Sequence, residues 1–209
     1  MRVSHPIFAR FYERLSRLME PEVGRHREEL VAGLSGRVIE VGAGNGMNFP
    51  HYPPEVTEVL AVEPEPRLRA AALKQAGSLR LPIRVVEGVA ETLPADDDSF
   101  HAAVASLMLC SVSDQRQALA ELFRVLRPSG ELRFYEHVRS RHPRLARAQQ
   151  AADLIWPFFT GGCHTSRDTL AGIEGAGFDL EWVRRFRFPV SRLFIPSSPH
   201  VLGVARKPG

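Results

Sequence analysis

Val38-Ile39-Glu40-Val41 runs directly into three alternating glycines, Gly42, Gly44 and Gly46, and this junction permits few folds. Val38, Ile39 and Val41 suit a strand buried on both faces, as strands of a parallel sheet are. The glycines allow backbone angles closed to other residues and let the main chain approach a ligand with no Cβ in between. A second apolar run ends at Glu63, with Pro64 beside it, about twenty residues on; in a strand-helix-strand unit an acidic residue so placed meets ribose hydroxyls. The junction therefore predicts a doubly wound α/β sheet with a nucleotide-type ligand at its strand ends. Position 47 is Met, where a dinucleotide fingerprint needs Gly, and no Lys-Ser or Lys-Thr follows as a phosphate loop requires. Pyrophosphate is disfavoured. Glu40, beside the loop, suits a ligand with a cationic amino-acid end better than one with phosphates, which points to S-adenosylmethionine.

The remaining periodicities fit this plan. Phe8, Phe11, Tyr12, Leu15, Leu18 and Met19 recur at helical spacing, with Arg10, Arg14 and Arg17 turned elsewhere, and predict an N-terminal helix. Strands are expected near 37–42, 58–63, 82–87, 100–106 and 130–138, with helices between them. The clearest helix is 114–126, where Asp114 and Gln117 form a capping box, Leu119, Leu122, Phe123 and Leu126 make the apolar stripe, and Pro128 and Gly130 stop it. A helix over 167–175 and closing strands over 178–186 and 200–206 complete the chain.

At 209 residues, 44% hydrophobic and 24% charged, the chain is expected to form one globular domain. Its apolar runs fall well short of the roughly 20 residues that cross a bilayer, and no signal peptide is evident, so a cytoplasmic protein is expected. Cys110 and Cys163 are too few for a disulfide framework. The net charge of +3 comes from 27 basic residues of which only Lys74 and Lys207 are lysine, a pattern that reflects coding bias more than a partner. Arginines cluster at 139, 141, 144 and 147 and at 184, 185 and 187, without a recognition motif or stacking aromatics, and no nucleic-acid partner is expected. The basic amphipathic segment Phe8 to Met19 is compatible with weak contact with a membrane surface, although a lid over the ligand, bringing Tyr12 onto it, fits its apolar stripe better.

The string from Glu40 to Gly46 with the later acidic strand end resembles the class I S-adenosylmethionine-dependent methyltransferases. The likeness continues through Val85-Val86-Glu87-Gly88-Val89-Ala90-Glu91-Thr92-Leu93-Pro94, Asp98-Ser99-Phe100-His101 and Val125-Leu126-Arg127-Pro128-Ser129-Gly130, and spans roughly residues 36–138. It implies a seven-stranded Rossmann-like sheet with an antiparallel last strand. In this organisation residues 1–35 are a helical lid, 36–138 the cofactor-binding core, and 139–209 the acceptor side with the closing strands.

The same resemblance implies S-adenosylmethionine as cofactor and assigns roles. Glu40, Gly42, Gly44, Gly46 and Asn48 surround the amino-acid end and the loop, while Glu63 accepts both ribose hydroxyls. The adenine edge is normally met by Gly-Asp-Ala. Here Gly88-Val89-Ala90 lacks the carboxylate, leaving the Ala90 backbone and Glu91. Ser106 and Leu107, past the fourth strand, flank the methionine portion.

The acceptor is implied by shorter strings shared with animal methyltransferase-like proteins that methylate small alkyl thiols: Asn48-Phe49, Tyr52-Pro53-Pro54, Leu109-Cys110-Ser111-Val112, Glu136-His137-Val138, Gln149-Gln150, Asp153, Trp156, Gly162-Cys163 and Ser166-Arg167. Their N-terminal hydrophobic anchor is missing, so a membrane-bound setting is not carried over. A small-molecule thiol is the expected acceptor. Carbon or oxygen methylation of a quinone-like or phenolic compound is the alternative, and a non-catalytic membrane or partner-binding module is the alternative from another class. A thiol of pKa about 8.5 is a few per cent thiolate at neutral pH, so a modest base suffices. His137 and Asp153 are the candidates for base and orienting group, with Glu136 as a second carboxylate. No metal is expected, because neither C-x-x-C nor H-x-x-H occurs and adjacent Cys163-His164 is poor ligand geometry.

Overall fold

A computed structural model describes residues 6–188 and 195–209, with side chains described from residue 9 onward; Phe8, the first member of the N-terminal stripe, lies outside them. The elements are α1 (Pro6–Leu18), α2 (Glu20–Val31), β1 (Gly36–Val41), β2 (Val56–Val62), α3 (Pro66–Ala76), β3 (Ile83–Val86), β4 (Phe100–Ser106), α4 (Gln115–Val125), β5 (Leu126–His137), α5 (Pro143–Ala152), α6 (Trp156–Phe159), α7 (Thr169–Gly175), β6 (Asp179–Arg187) and β7 (Pro199–Arg206). The seven strands form one sheet in the order β3-β2-β1-β4-β5-β7-β6. β1 runs parallel to β2 and β4, β2 to β3, and β4 to β5, whereas β7 is antiparallel to both β5 and β6. The expected doubly wound sheet with an antiparallel last strand is thus formed. The chain order reverses between β1 and β4, so a crevice opens at their carboxyl ends.

Period-two alternation along buried strands builds a core on each face. Ile39, Val41, Leu60, Val62, Ala103, Ala105, Leu132 and Phe134 pack with Leu119 and Leu122 of α4 and Ile173 of α7. Val38, Val59, Ala61, Ala102, Val104 and Tyr135 pack on the other face with Leu30 and Val31 of α2 and Ala72 of α3. The alternation fixes where the polar residues of these strands emerge. Glu40 shares the α2 face with Val38, and Glu136 shares the α4 face with Phe134.

The expected N-terminal helix forms as α1, and a second helix, α2, follows it beyond Met19. At α4 the expectations change. The capping box on α4 is half formed: Asp114 accepts the Gln117 amide at 3.0 Å, but the returning arm comes from Glu91, whose carboxylate accepts the Asp114 amide at 3.1 Å. The helix also ends earlier than its Pro-Gly stop signal implies. Leu126 is extended and already pairs with Phe100, so Pro128, Ser129 and Gly130 lie inside β5, where Ser129 takes a positive φ of 61°. Among the described residues no helix is long and apolar enough to cross a membrane. Leu154, Ile155, Phe158 and Phe159 stay exposed around α6.

Gly203 of β7 is sandwiched between neighbours: a Cβ there would lie 2.5 Å from the Trp182 carbonyl oxygen and 2.6 Å from the Phe134 ring. Overpacking of this kind costs about 1–3 kcal/mol. Gly203→Ala is expected to lower the chemical-denaturation midpoint accordingly with an unchanged m-value. A midpoint equal to wild type would contradict this packing.

Candidate active site

The three loop glycines serve different ends. All have positive φ, 70° at Gly42, 58° at Gly44 and 79° at Gly46. A Cβ on Gly42 would strike Met108 at 2.7 Å, and one on Gly46 would strike the Phe49 ring at 2.7 Å, so both are needed for packing. At Gly44 a Cβ would meet only Tyr12, at 3.5 Å, and would otherwise fill the space between loop and tyrosine. That cradle is where a ligand can touch bare backbone. Tyr12 reaches it because α1 is tied to the loop, with the Asn45 amide donating to the Ser16 hydroxyl at 2.9 Å and Arg67 pairing with Glu13 at 3.1 Å.

Glu63 stands at the end of β2 with its carboxylate buried. One oxygen accepts the Gly44 amide at 2.8 Å and the other the Glu65 amide at 2.9 Å. Burial raises its pKa, and the two amides oppose that rise. The carboxylate thus sets the position of the glycine loop, and each oxygen keeps a second lone pair for a ribose hydroxyl.

Glu40 is fully buried behind the loop. It accepts the Asn48 amide at 2.8 Å and the Tyr52 hydroxyl at 2.7 Å. The other end of the Asn48 amide accepts Arg27 at 2.9 Å, and Arg27 pairs with Glu20 at 3.1 Å. Asn48 therefore bridges Glu40 and Arg27 within the network beside the loop. Burial pushes Glu40 up to about 7 against the Tyr52 and Asn48 bonds. Arg27, buried on α2 and also bonded to Tyr12, is a site residue that sequence reading missed. Its signal was weak, since one arginine in an Arg-rich helix carries no mark of burial.

On the adenine side Glu91 has one carboxylate oxygen, Oε1, engaged. Its carboxylate accepts the Ser113 amide at 3.0 Å, the Ser113 hydroxyl at 2.7 Å and the Asp114 amide at 3.1 Å. Burial alone would raise its pKa, but these bonds outweigh it and lower it. Glu91 is thereby committed to the start of α4. Ala90 is buried in the turn closed by the Val89–Thr92 bridge. Pro64 follows Glu63, and its carbonyl accepts Arg69 at 3.0 Å. At the end of β4 the buried Ser106 hydroxyl has no hydrogen-bond partner among the described residues, and Leu107 sits at φ 55°, a strained angle for leucine. The open cradle at Gly44, the Glu63 lone pairs and this orphan hydroxyl all stand at the carboxyl ends of β1, β2 and β4, the edge of such sheets where ligands bind.

Beyond Leu107 the chain is held by Glu136. This buried carboxylate at the end of β5 accepts the amides of Met108 and Leu109 at 2.8 Å each and of Cys110 at 3.1 Å. Burial pushes it up to about 7. The loop so held places the Cys110 sulfur 3.4 Å from His137 Nδ1, and the Cys163 sulfur lies 3.4 Å from the same nitrogen. His137 is neutral, its pKa well below the usual value because of burial and then of His200. Contact with Cys163, then burial, push the Cys110 thiol well up.

Asp153 does not join His137. Its carboxylate accepts the amide and hydroxyl of Thr165 at 2.8 and 2.9 Å and those of Ser166 at 2.9 and 2.6 Å. Burial would raise its pKa; the Ser166 and Thr165 bonds lower it. Four donors leave it a clamp on the loop after Cys163, not an orienting group for a base. His137, in turn, has Nδ1 against the two sulfurs, and burial lowers its basicity.

A model of the methyltransferase domain family matches residues 39–134. Thiol S-methyltransferase TMT1B from Homo sapiens is 33% identical over 85% of this chain and 74% of its own length. Demethylmenaquinone methyltransferase from Deinococcus radiodurans is 33% identical over 58% of this chain and 53% of its own. Among solved structures, a SAM-dependent methyltransferase from Thermotoga maritima superposes with a TM-score of 0.70 at 25% identity, covering 96% of this chain and 98% of that one.

Two outcomes follow for the carboxylates. Glu63→Ala removes charge-assisted bonds worth about 1.5–3 kcal/mol and is expected to weaken S-adenosylmethionine binding about ten- to a hundredfold by calorimetry; unchanged affinity would remove Glu63 from the site. Glu40, with its folded pKa raised, contributes stability present below about pH 4.5 and lost as pH rises towards 7. Without cofactor, the stability of wild type relative to Glu40→Gln should therefore fall between pH 5 and pH 8, by up to about 3 kcal/mol at about 1.4 kcal/mol per pKa unit. A difference that grows with pH would reverse the assignment.

Proposed function

The chain belongs to the class I S-adenosylmethionine-dependent methyltransferases, and from that premise we propose that its acceptor is a small thiol, methylated on sulfur. The observation that carries this reading is the acceptor end itself, where two sulfurs and one neutral imidazole, Cys110, Cys163 and His137, gather at the ends of β4 and β5 without a charged side chain among them. Such a soft, weakly polar lining suits a sulfur acceptor. The likeness to thiol S-methyltransferase TMT1B over 85% of the chain supports it.

Bound S-adenosylmethionine supplies an electrophilic methyl group on a sulfonium. The protein's share is to bind, orient and exclude water. Gly44 and Ser106 lie against the nucleoside and methionine portions, Glu63 takes the ribose, and Glu40 with Arg27 offers a charge pair to the amino-acid end. α1 and α2 act as the lid expected for residues 1–35, with Tyr12 over Gly44. Residues 36–138 hold the cofactor, and 139–209 bring Cys163 to the acceptor. Positioning of two reactants supplies up to about 7–11 kcal/mol of barrier reduction in well-oriented cases, so a direct displacement needs little further help.

The proton of the acceptor separates the two readings. A phenol, with a pKa of about 10, needs a capable base, and His137, neutral and held well below its usual pKa, is a poor one. A thiol ionises more readily. Demethylmenaquinone methyltransferase is a relative over a smaller share of this chain, and quinone-like or phenolic acceptors are the second reading. We read the protein's setting as the cytoplasm, where the buried thiols of Cys110 and Cys163 stay reduced.

Labelled cofactor offered with small alkyl thiols, hydrogen sulfide and phenols decides between them. Thiols are expected to turn over at least about tenfold faster than phenols at pH 7.5, in line with their larger ionised fraction. Methylated phenol with inert thiols would overturn the assignment.

A further inference from the structure

Two sulfurs and one imidazole nitrogen form a compact donor set: Cys110 Sγ and Cys163 Sγ each lie 3.4 Å from His137 Nδ1, and the two thiols are also in hydrogen-bond contact with each other. The three atoms lie within 4.8 Å of one another. Zinc bound tetrahedrally at about 2.3 Å to sulfur and about 2.0–2.1 Å to nitrogen would hold such atoms roughly 3.5–3.8 Å apart, so little movement is needed to place a cation between them.

The surroundings hold these groups in place. Glu136 accepts the Cys110 amide, and the Cys110 carbonyl accepts the His164 amide at 2.8 Å, which joins the two cysteine segments. Gly162, next to Cys163, takes φ 90°, and a Cβ there would lie 2.8 Å from the Ser111 carbonyl oxygen. Asp153 clamps Thr165 and Ser166 just beyond. Conserving ligand direction through such supporting bonds is how protein metal sites are built.

We propose that Cys110, His137 and Cys163 bind a soft divalent cation of the zinc type, leaving its fourth position for the sulfur of the acceptor thiol. This rests on the thiol reading above. Ligation requires a neutral imidazole and thiolate sulfurs, so the cation would draw both thiols into their thiolate form. An acceptor thiol entering the fourth position would lose its proton to solvent and be held as thiolate, which supplies the nucleophile. The thiolate sulfur then forms its bond to the methyl carbon as the carbon's bond to the sulfonium sulfur breaks, that electron pair staying with the departing sulfur. The neutral thioether binds the cation weakly and leaves.

Cobalt(II) is the probe. Reduced, chelator-stripped full-length protein is titrated with cobalt(II), then with 2-mercaptoethanol. One cobalt per chain is expected, with a sulfur-to-cobalt charge-transfer band, the intense visible bands of a tetrahedral site, and a shift of the visible bands on adding the thiol. Cys110→Ser and Cys163→Ser should each lower the charge-transfer intensity, and His137→Ala should weaken binding by more than about 100-fold, beyond the loss typical of a supporting partner. Absence of the charge-transfer band in wild type, or its retention in all three variants, would overturn the site. A band indifferent to thiol would overturn the open position. Equal thiol methylation by zinc-loaded and stripped protein would overturn the cation's role and leave the thiol reading standing, whereas a thiol-responsive cobalt site in a protein that methylates phenols alone would overturn the thiol reading and leave the cation site standing.

Discussion

Two buried carboxylates, each standing at a strand end and accepting main-chain amides, hold the loops from which the site is made. Glu63 at the end of β2 takes the amides of Gly44 and Glu65, and Glu136 at the end of β5 takes those of Met108, Leu109 and Cys110. Loops need an internal partner for their polar backbone when they are buried, and a carboxylate with two oxygens satisfies several amides at once. The parallel sheet places both acids at its carboxyl edge. One shapes the cradle for the cofactor and the other delivers Cys110 to His137.

The cost of this arrangement is the burial of charge. Glu40, Glu63 and Glu136 all have raised pKa values, and burial is the largest cause in each. Unsatisfied, such groups would unfold a domain; satisfied, they give the crevice fixed dipoles at low dielectric. The site accordingly keeps strain and unpaired groups, the left-handed Leu107 and the orphan Ser106 hydroxyl, at the point where a ligand can use them. α1 then lies over the cradle, held by side-chain contacts of Ser16 and Glu13.

Much of the fold was legible in the residues because burial on both faces writes continuous apolar runs. Val38-Ile39, Ala102 to Ala105 and Leu132 to Tyr135 announced their strands, and the glycine loop announced its turn. Glu63 was legible because its spacing from Gly44 follows from strand-helix-strand geometry. The internal hydrogen bonds of Asn48, Glu91 and Asp153 were not legible, since a polar side chain's partners depend on groups that the one-dimensional string does not order. Glu91 illustrates this: the family resemblance implied a place by the adenine, and its bonds to donors of residues 113 and 114 left no mark in the sequence. The Cys110, His137 and Cys163 group escaped a spacing argument altogether, because its members come from the loop after β4, the end of β5 and the loop after α6. Arg27 escaped for lack of any local pattern that separates a buried arginine from an exposed one.

We propose that the ligand site extends from Glu63 through Gly44 to the sulfur and imidazole group at His137. The decisive measurement is a crystal structure of the complex with S-adenosylhomocysteine, the demethylated cofactor. Ribose hydroxyls are expected on Glu63, backbone contact at Gly44, and the cofactor sulfur directed towards Cys110, His137 and Cys163. A cofactor sulfur pointing away from those three residues would contradict it.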